Sequence, residues 1–414
     1  MTEVISILEH QSVPIVEQRQ NGDIALSHRH AQLLSQMTTL PLRAFTWGHN
    51  SIKWSQFCGL VLLGDLTLEI LPKIHGKESN VGSCRDALIR MLKRAGLIKL
   101  HKPGGATVNV QKHTLLDVFI IDLCQQISAQ LLQGKLRQYI TQEENLPVLR
   151  GKLLSGMQLR HNLAHKERLY CQYDELSEDV FVNQVIKYTL RLLHPKARAQ
   201  SVKKALARLL FVFDGISDNP IDLQRLLSLS LNRSESRYQS IVDICSLFVQ
   251  SLAPDFNAGQ QQSFSMMFDM NQLFESWVAS ILRPVAHKHG LRLREQGPRR
   301  YFAYRSDLQR DVFQMKPDIS FVNASGIPVL IADAKWKLLE VSEAKLGVSQ
   351  ADLYQMQAYG NRYNTTQLCL IYPGQAGLKS SYDLELHGQH GAKLQITTLE
   401  ISADHSDELQ LNLG

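Results

Sequence analysis

Apolar residues run or alternate through Ser51–Trp54, Gly59–Leu63 and Leu66–Leu71, and Gly64-Asp65 between the last two suits a tight hairpin turn. Residues 1–80 therefore read as β-rich. From about Arg85 the period lengthens. Leu115, Leu116, Phe119, Leu123, Ile127 and Leu131 recur at helical intervals within Lys112–Tyr139, as do Val182, Ile186 and Leu190 within Asp179–Leu193, which predicts a helical middle. The pattern changes again in the last third. Phe268–Lys288 carries Met270, Leu273, Phe274, Trp277, Val278 and Ile281 at helical spacing, with Pro284 expected to kink or end the helix early. A strand over Leu291–Glu295 follows, then a hairpin of Asp311–Val322 and Ile327–Lys335 turned by Asn323-Ala324-Ser325-Gly326, a helix over Gln350–Arg362 and a strand over Thr366–Tyr372. The order α-β-β-β-α-β makes the fold class mixed α+β. Three domains are expected: β-rich 1–110, helical 111–258 and α/β 259–414, with the polar, Pro- and Gly-containing Ala253–Ser263 as the second boundary.

The hairpin carries the candidate chemistry. Pro317-Asp318 is followed by Asp333-Ala334-Lys335 on the adjacent strand, and side-chain alternation puts Asp333 and Lys335 on one face. Two carboxylates offer the hard oxygen ligands that Mg²⁺ prefers and leave coordination positions for water and phosphate. A lysine beside them can orient or deprotonate a water, or neutralise a pentacovalent phosphorane. Pro317 lacks an N–H and suits a place where the sheet opens. Glu343-Ala344-Lys345 is a rival acid-x-Lys, but it lies in a polar stretch, whereas Asp333 closes the apolar run Pro328–Ala332. Pro254-Asp255 is a second Pro-Asp pair without an acid-x-Lys at hairpin distance. Glu275 falls within the preceding helix, and Gln355 and Tyr359, four apart, share a face of the following one. Taken singly, Glu275 reads equally as a solvent-facing acid, and Gln355 with Tyr359 as an amphipathic surface.

These residues resemble the PD-(D/E)xK nucleases, with Gln355-Met356-Gln357-Ala358-Tyr359 matching the QxxxY helix of RecB-like members. Within them the chain resembles the McrC family, the nuclease subunits of McrBC modification-dependent restriction systems. Residues 59–74 (GLVLLGDLTLEILPKI), 134–154 (GKLRQYI, then LPVLRGKLL), 171–187 (CQYDELSEDVFVNQVIK) and 268–278 (FDMNQLFESWV) carry that likeness. The resemblance implies an Mg²⁺-dependent endonuclease in which Asp318 and Asp333 ligate metal, Glu275 completes the metal shell, Lys335 assists water or the phosphorane, and Gln355 positions DNA or a water. It also implies a McrB-like AAA+ GTPase hexamer as partner, which binds the GTP and recognises modified cytosine. The front and middle domains would dock in that hexamer's pore and stimulate its hydrolysis, and two complexes would meet on double-stranded DNA for a double-strand cut. Asp174, Glu175 and Asp179 read equally as caps of a helix start.

Charge and composition refine this picture. The 414 residues suit two or three domains, and the net charge of +6 is unevenly spread. Seven basic residues and no acid lie between Lys187 and Leu210, and seven more between Lys288 and Arg310 are interleaved with Tyr301, Phe302 and Tyr304. The second cluster, just before the hairpin, is expected to hold the DNA backbone, with Arg299, Arg300, Arg305 and Tyr359 as the contacts. No GxxxxGK[ST] occurs, so the chain should not hydrolyse GTP by itself. The six cysteines lack CxxC spacing and read as buried thiols of a reducing cytoplasm. His161 and His165 would share a helix face with Glu167 turned away. No membrane span and no signal peptide are read. Two further readings stand beside the restriction subunit: a non-catalytic activator or scaffold of an AAA+ NTPase, and a stand-alone RecB-like repair nuclease.

Overall fold

The computed structural model describes residues 3–38, 40–98, 113–165, 167–252, 263–340, 342–387 and 391–401. They fall into two compact units, 1–115 with 263–414, and 116–262. The first joins the front of the chain to its C-terminal third, where the sequence pattern suggests separate domains. The reason is one strand: Ser263–Asp269 pairs antiparallel with Phe57–Leu63 along its whole length. Phe57–Leu63 is flanked on its other edge by Leu66–Leu71, which in turn pairs with Glu3–Leu8 in parallel. Phe57–Leu63 and Leu66–Leu71 are buried at every position, which explains their unbroken apolar spelling. A second small sheet, Leu26–Ser27, Ser12–Val16, Ser51–Trp54 and Phe45–Trp47, packs on this core through Val13, Ile52 and Trp54.

Glu69 is the one carboxylate within the two buried strands, fully sequestered, and each of its oxygens is matched. Arg85 Nη2 lies 2.6 Å from Oε2, Ser6 donates to it at 2.9 Å, and the Leu115 N–H donates to Oε1 at 2.7 Å. The helix Val81–Arg94, begun by an Asn80 cap, brings Arg85 to it.

The C-terminal part of this unit is a six-stranded sheet in the order Arg292–Glu295, Ile319–Val322, Pro328–Ala334, Gln367–Pro373, Lys393–Leu399, Ser381–Glu385. Helices Met270–Lys288 and Gln350–Tyr363 pack against it. The expected hairpin forms between Ile319–Val322 and Pro328–Ala334. The expected long first strand is broken at Lys316-Pro317-Asp318, because Arg310–Met315 leaves the sheet to form a separate two-stranded ribbon with Arg300–Arg305. The helix runs through Pro284 to Lys288; the proline lies on the exposed face and removes only one intrahelical donor.

The second unit packs helices Leu115–Leu131, Phe181–Leu193, Gln200–Val212 and Gln239–Leu252, but it is not purely helical. Gln138–Leu146, Leu169–Ser177 and Lys152–Leu153 form a three-stranded antiparallel sheet. Asp174 and Glu175 lie on its central strand, bonded to Thr141 and Arg150, and cap nothing. Asp179 holds Ser217 and Gln184, and helix Phe181–Leu193 starts without a side-chain cap. His161 ends the short helix Ser155–His161, and His165 beyond it meets the Glu167 carboxylate at 3.1 Å, so the two histidines share no helix face. The stretch 253–262, with Pro254-Asp255, lies outside the described residues. The six cysteines are all buried and free. No helix among the described residues is long and apolar enough to cross a membrane.

Candidate active site

The antiparallel register pairs Ile319 with Ala332, so one step further Asp318 faces Asp333 across the opening of the hairpin. The Ala334 N–H donates to Asp318 Oδ2 at 3.1 Å, which pins the first acid to the strand that carries the second. Asp333 is 1 % exposed. Its Oδ2 forms a 2.5 Å ion pair with Lys335 Nζ. Lys335 Nζ donates to Gln355 Oε1 at 3.2 Å, and Gln355 Nε2 lies 3.4 Å from Asp333 Oδ1 and 3.0 Å from the Tyr359 hydroxyl. The helix start that aims Gln355 is fixed by Ser349, whose hydroxyl accepts from the Asp352 N–H. Glu275, half-buried on helix Met270–Lys288, accepts from Gln296 Nε2 at 2.9 Å.

The electrostatics show that these acids share one small space. Burial, then the charges of Asp333 and Glu275, push the Asp318 carboxyl up to about 8. Burial likewise raises Asp333, and burial with the Asp333 charge raises Glu275. Burial alone would lower the Lys335 ammonium, but Asp333 overrides it and holds the group above its ordinary range. Asp352 sits beyond, close to Lys337 and 3.9 Å from Lys335, so the amine is bordered by acids on two sides.

Asp318 and Asp333 face each other as two hard oxygen donors, and the Asp333 charge reaches Glu275 on the neighbouring helix. Among the described residues no group of three or more His, Cys, Asp or Glu side chains is placed to hold a metal ion together. The donor set fits an open site with water in the remaining positions.

The other candidates divide. Tyr359 is buried, donates to the Lys316 carbonyl at 3.3 Å and lies in the core beside Met356 and Leu370; it supports Gln355 from beneath and presents no ring to DNA. Arg300 donates to the Arg362 carbonyl and covers the Tyr363 ring, and Arg305 pairs with Asp307, while Arg299 is exposed. Phe302, Tyr304 and Phe313 project from the same ribbon into solvent. Lys187 of the earlier basic run is buried, donating to the Asp214 and Ile216 carbonyls, and so is structural. Glu343 pairs with Lys345 at 3.4 Å in a loop, outside the acid cluster.

One residue that the sequence reading passed over belongs beside the site. Glu9, 3 % exposed at the end of strand Glu3–Leu8, accepts from Trp336 Nε1 and from the Lys73 N–H, both at 2.9 Å. Trp336 directly follows Lys335 and its ring tilts on Phe274, the neighbour of Glu275. A carboxylate directly after the apolar run of Val4–Leu8 was the signal available. Burial pushes Glu9 up from 4.5 to about 7. Since the folded value lies above the unfolded one, its contribution to stability is fully present below about 4.5 and is lost as pH rises towards about 7. Glu9→Gln should therefore melt a few degrees above the parent at pH 8 and no higher at pH 4, by thermal denaturation followed by circular dichroism.

The fold has solved counterparts. A McrC-bound half-complex from the tetradecameric assembly of Thermococcus gammatolerans McrB AAA+ hexamers contains a chain that matches at a TM-score of 0.72 and 19 % identity, over 97 % of this chain and 96 % of that one. A second chain, from the cryo-EM structure of the Thermococcus gammatolerans McrBC complex, matches at 0.50 and 21 % identity, over 67 % and 87 %. By sequence, residues 52–373 match the family described as McrBC 5-methylcytosine restriction system component, and the chain belongs to that family. The curated Type IV methyl-directed restriction enzyme EcoKMcrBC of Escherichia coli (strain K12) is 23 % identical over 161 residues, 39 % of this chain; the match spans 46 % of that protein's length.

Proposed function

We propose that this chain is the DNA-cleaving subunit of a GTP-driven complex that restricts DNA bearing modified cytosine. The observation that carries the reading is the convergence of Glu275, Asp318, Asp333, Lys335 and Gln355 on one opening of the sheet, in a member of the McrBC family. Asp318 and Asp333, with Glu275, would hold Mg²⁺, which supplies charge stabilisation at the phosphoryl oxygen and a water that ionises more readily. Lys335, kept cationic by its acidic neighbours, is suited to donate to the attacked phosphate rather than to remove a proton. Gln355 holds both Lys335 and Asp333 in register, and Tyr359 fixes Gln355 in turn. Gln355→Ala should slow cleavage about ten- to a hundredfold through misplacement alone, with melting temperature unchanged.

The partner follows from the family. A McrB-like AAA+ hexamer would supply GTP hydrolysis, and the sheet of the second unit exposes the cross-strand pair Tyr139 and Leu176 for it to cover. The test is plasmid cleavage with Mg²⁺ on methylated and unmethylated DNA, with this chain alone and with a McrB-like GTPase plus GTP. Cutting only in the complete mixture is expected. No cutting in any mixture, with the partner's GTPase still stimulated, would make the chain a non-catalytic activator.

A further inference from the structure

The parallel strands Pro328–Ala334, Gln367–Pro373 and Lys393–Leu399 end on one side of the sheet, and there a cavity of about 250 Å³ opens within the first unit. Open α/β sheets take ligands in the crevice outside the carboxyl ends of their parallel strands. One wall comes from those ends, including Trp336 and Glu400; the other comes from Lys73, Lys77 and Arg90, the last on helix Val81–Arg94. Three cationic side chains thus share the cavity lining with one carboxylate, and all three are exposed to an incoming ligand. Trp336 is held from two sides, by the Glu9 hydrogen bond and by the Phe274 ring, so this aromatic wall is in place before anything binds. The volume lies below the range of about 300–1,000 Å³ typical of drug-sized ligands, and the cavity opens to solvent, so no more than one nucleotide could be enclosed, part of it outside.

We propose that this cavity binds a single nucleotide, its phosphate held by Lys73, Lys77 and Arg90 and its base lying along Trp336. The nucleotide is either free or the terminal residue of a DNA strand; the phosphate and planar base are common to both. Charge-assisted hydrogen bonds from Arg and Lys give such a site its affinity, and the aromatic wall accepts any base. Because Trp336 follows Lys335 in the chain, a ligand here abuts the strand that carries the acid cluster, yet the binding claim does not rest on cleavage.

The test titrates fluorescent dGMP, fluorescent GTP and a short labelled 5′-phosphorylated single strand against the full chain carrying Asp333→Asn, so that no cutting intervenes. The same titrations are made on that chain with Lys77→Ala and Arg90→Ala added, two exposed positions outside the acid cluster. At least one probe should bind, inorganic phosphate should compete with it, and the added changes should weaken it about tenfold or more. Mononucleotides binding as tightly as the strand would assign the free ligand; binding of the strand alone would assign a strand end. Absence of binding by every probe, or binding that the added changes leave untouched, would overturn the proposal whatever the outcome of the plasmid assay.

Discussion

Asp333→Asn should reduce DNA cleavage about a hundred- to a thousandfold while leaving the chain folded and still able to stimulate its partner's GTPase. The magnitude follows from phosphodiester chemistry, where the protein's contribution is positioning and electrostatics; loss of one preorganised group of this kind costs about 3–4 kcal/mol of barrier. Asp333 is the most buried acid of the cluster, and its Oδ2 carries the ion pair with Lys335, so it fixes both the negative charge and the amine at the opening of the sheet. Asparagine retains the volume and the Oδ1 that meets Gln355, and it removes a buried charge that burial disfavours. Lys335 is not stranded by the change, because Gln355 Oε1 and Asp352 remain near it. The measurements are nicking of supercoiled plasmid, GTP turnover by the partner and a melting curve. A variant that nicks at the parental rate would sink the assignment of Asp333; one that fails to melt cooperatively would show that the acid is structural.

What the sequence made legible follows the range over which each feature is encoded. The hairpin of Ile319–Val322 and Pro328–Ala334 was readable because its apolar strands and its Asn-Ala-Ser-Gly turn lie within one short stretch, and the facing of Asp318 and Asp333 follows from that register. The helix that presents Gln355 was expected over Gln350–Arg362 and runs Gln350–Tyr363. The sheet of the second unit was not. Gln138–Leu146 spells QYITQEENL and is half-buried or exposed throughout, so it has no buried face to impose an apolar alternation. Tyr359 shared a helix face with Gln355, as spacing required, but spacing does not say which side of the helix is covered; the core beside Met356 and Leu370 decides that. The break at Pro317 was foreshadowed by the proline, yet the departure of Arg310–Met315 into a ribbon depends on its partner Arg300–Arg305. The cavity beside Trp336 was illegible for the same reason in stronger form, since its walls come from three segments far apart in the chain.

The joining of the two ends of the chain was also invisible, and it sets up the largest expected loss of stability. Gly59→Ala should destabilise the protein by about 4 kcal/mol or more, beyond the usual range for single substitutions. Gly59 lies on the fully buried strand Phe57–Leu63, opposite Met267, with φ at +146°. A Cβ there would stand 2.0 Å from the Met266 carbonyl oxygen, a backbone atom that can move only if the strand pair separates. Gly76→Ala is the control: its φ of +72° carries the backbone penalty of about 1 kcal/mol, but nothing lies within 4 Å of the added atom. The difference between the two melting curves therefore isolates the steric cost of the strand contact. The consequence reaches the acid cluster. Ser263–Asp269 runs straight into helix Met270–Lys288, whose Asp269 cap and whose Met270 N–H, bonded to the Gln56 carbonyl, fix where Glu275 begins its turn. Splaying that pair should thus lower cleavage together with stability, whereas Asp333→Asn separates the two. If Gly59→Ala melted like Gly76→Ala, the pairing of Ser263–Asp269 with Phe57–Leu63 would not be what unites the front of the chain with the strands that carry Asp318 and Asp333.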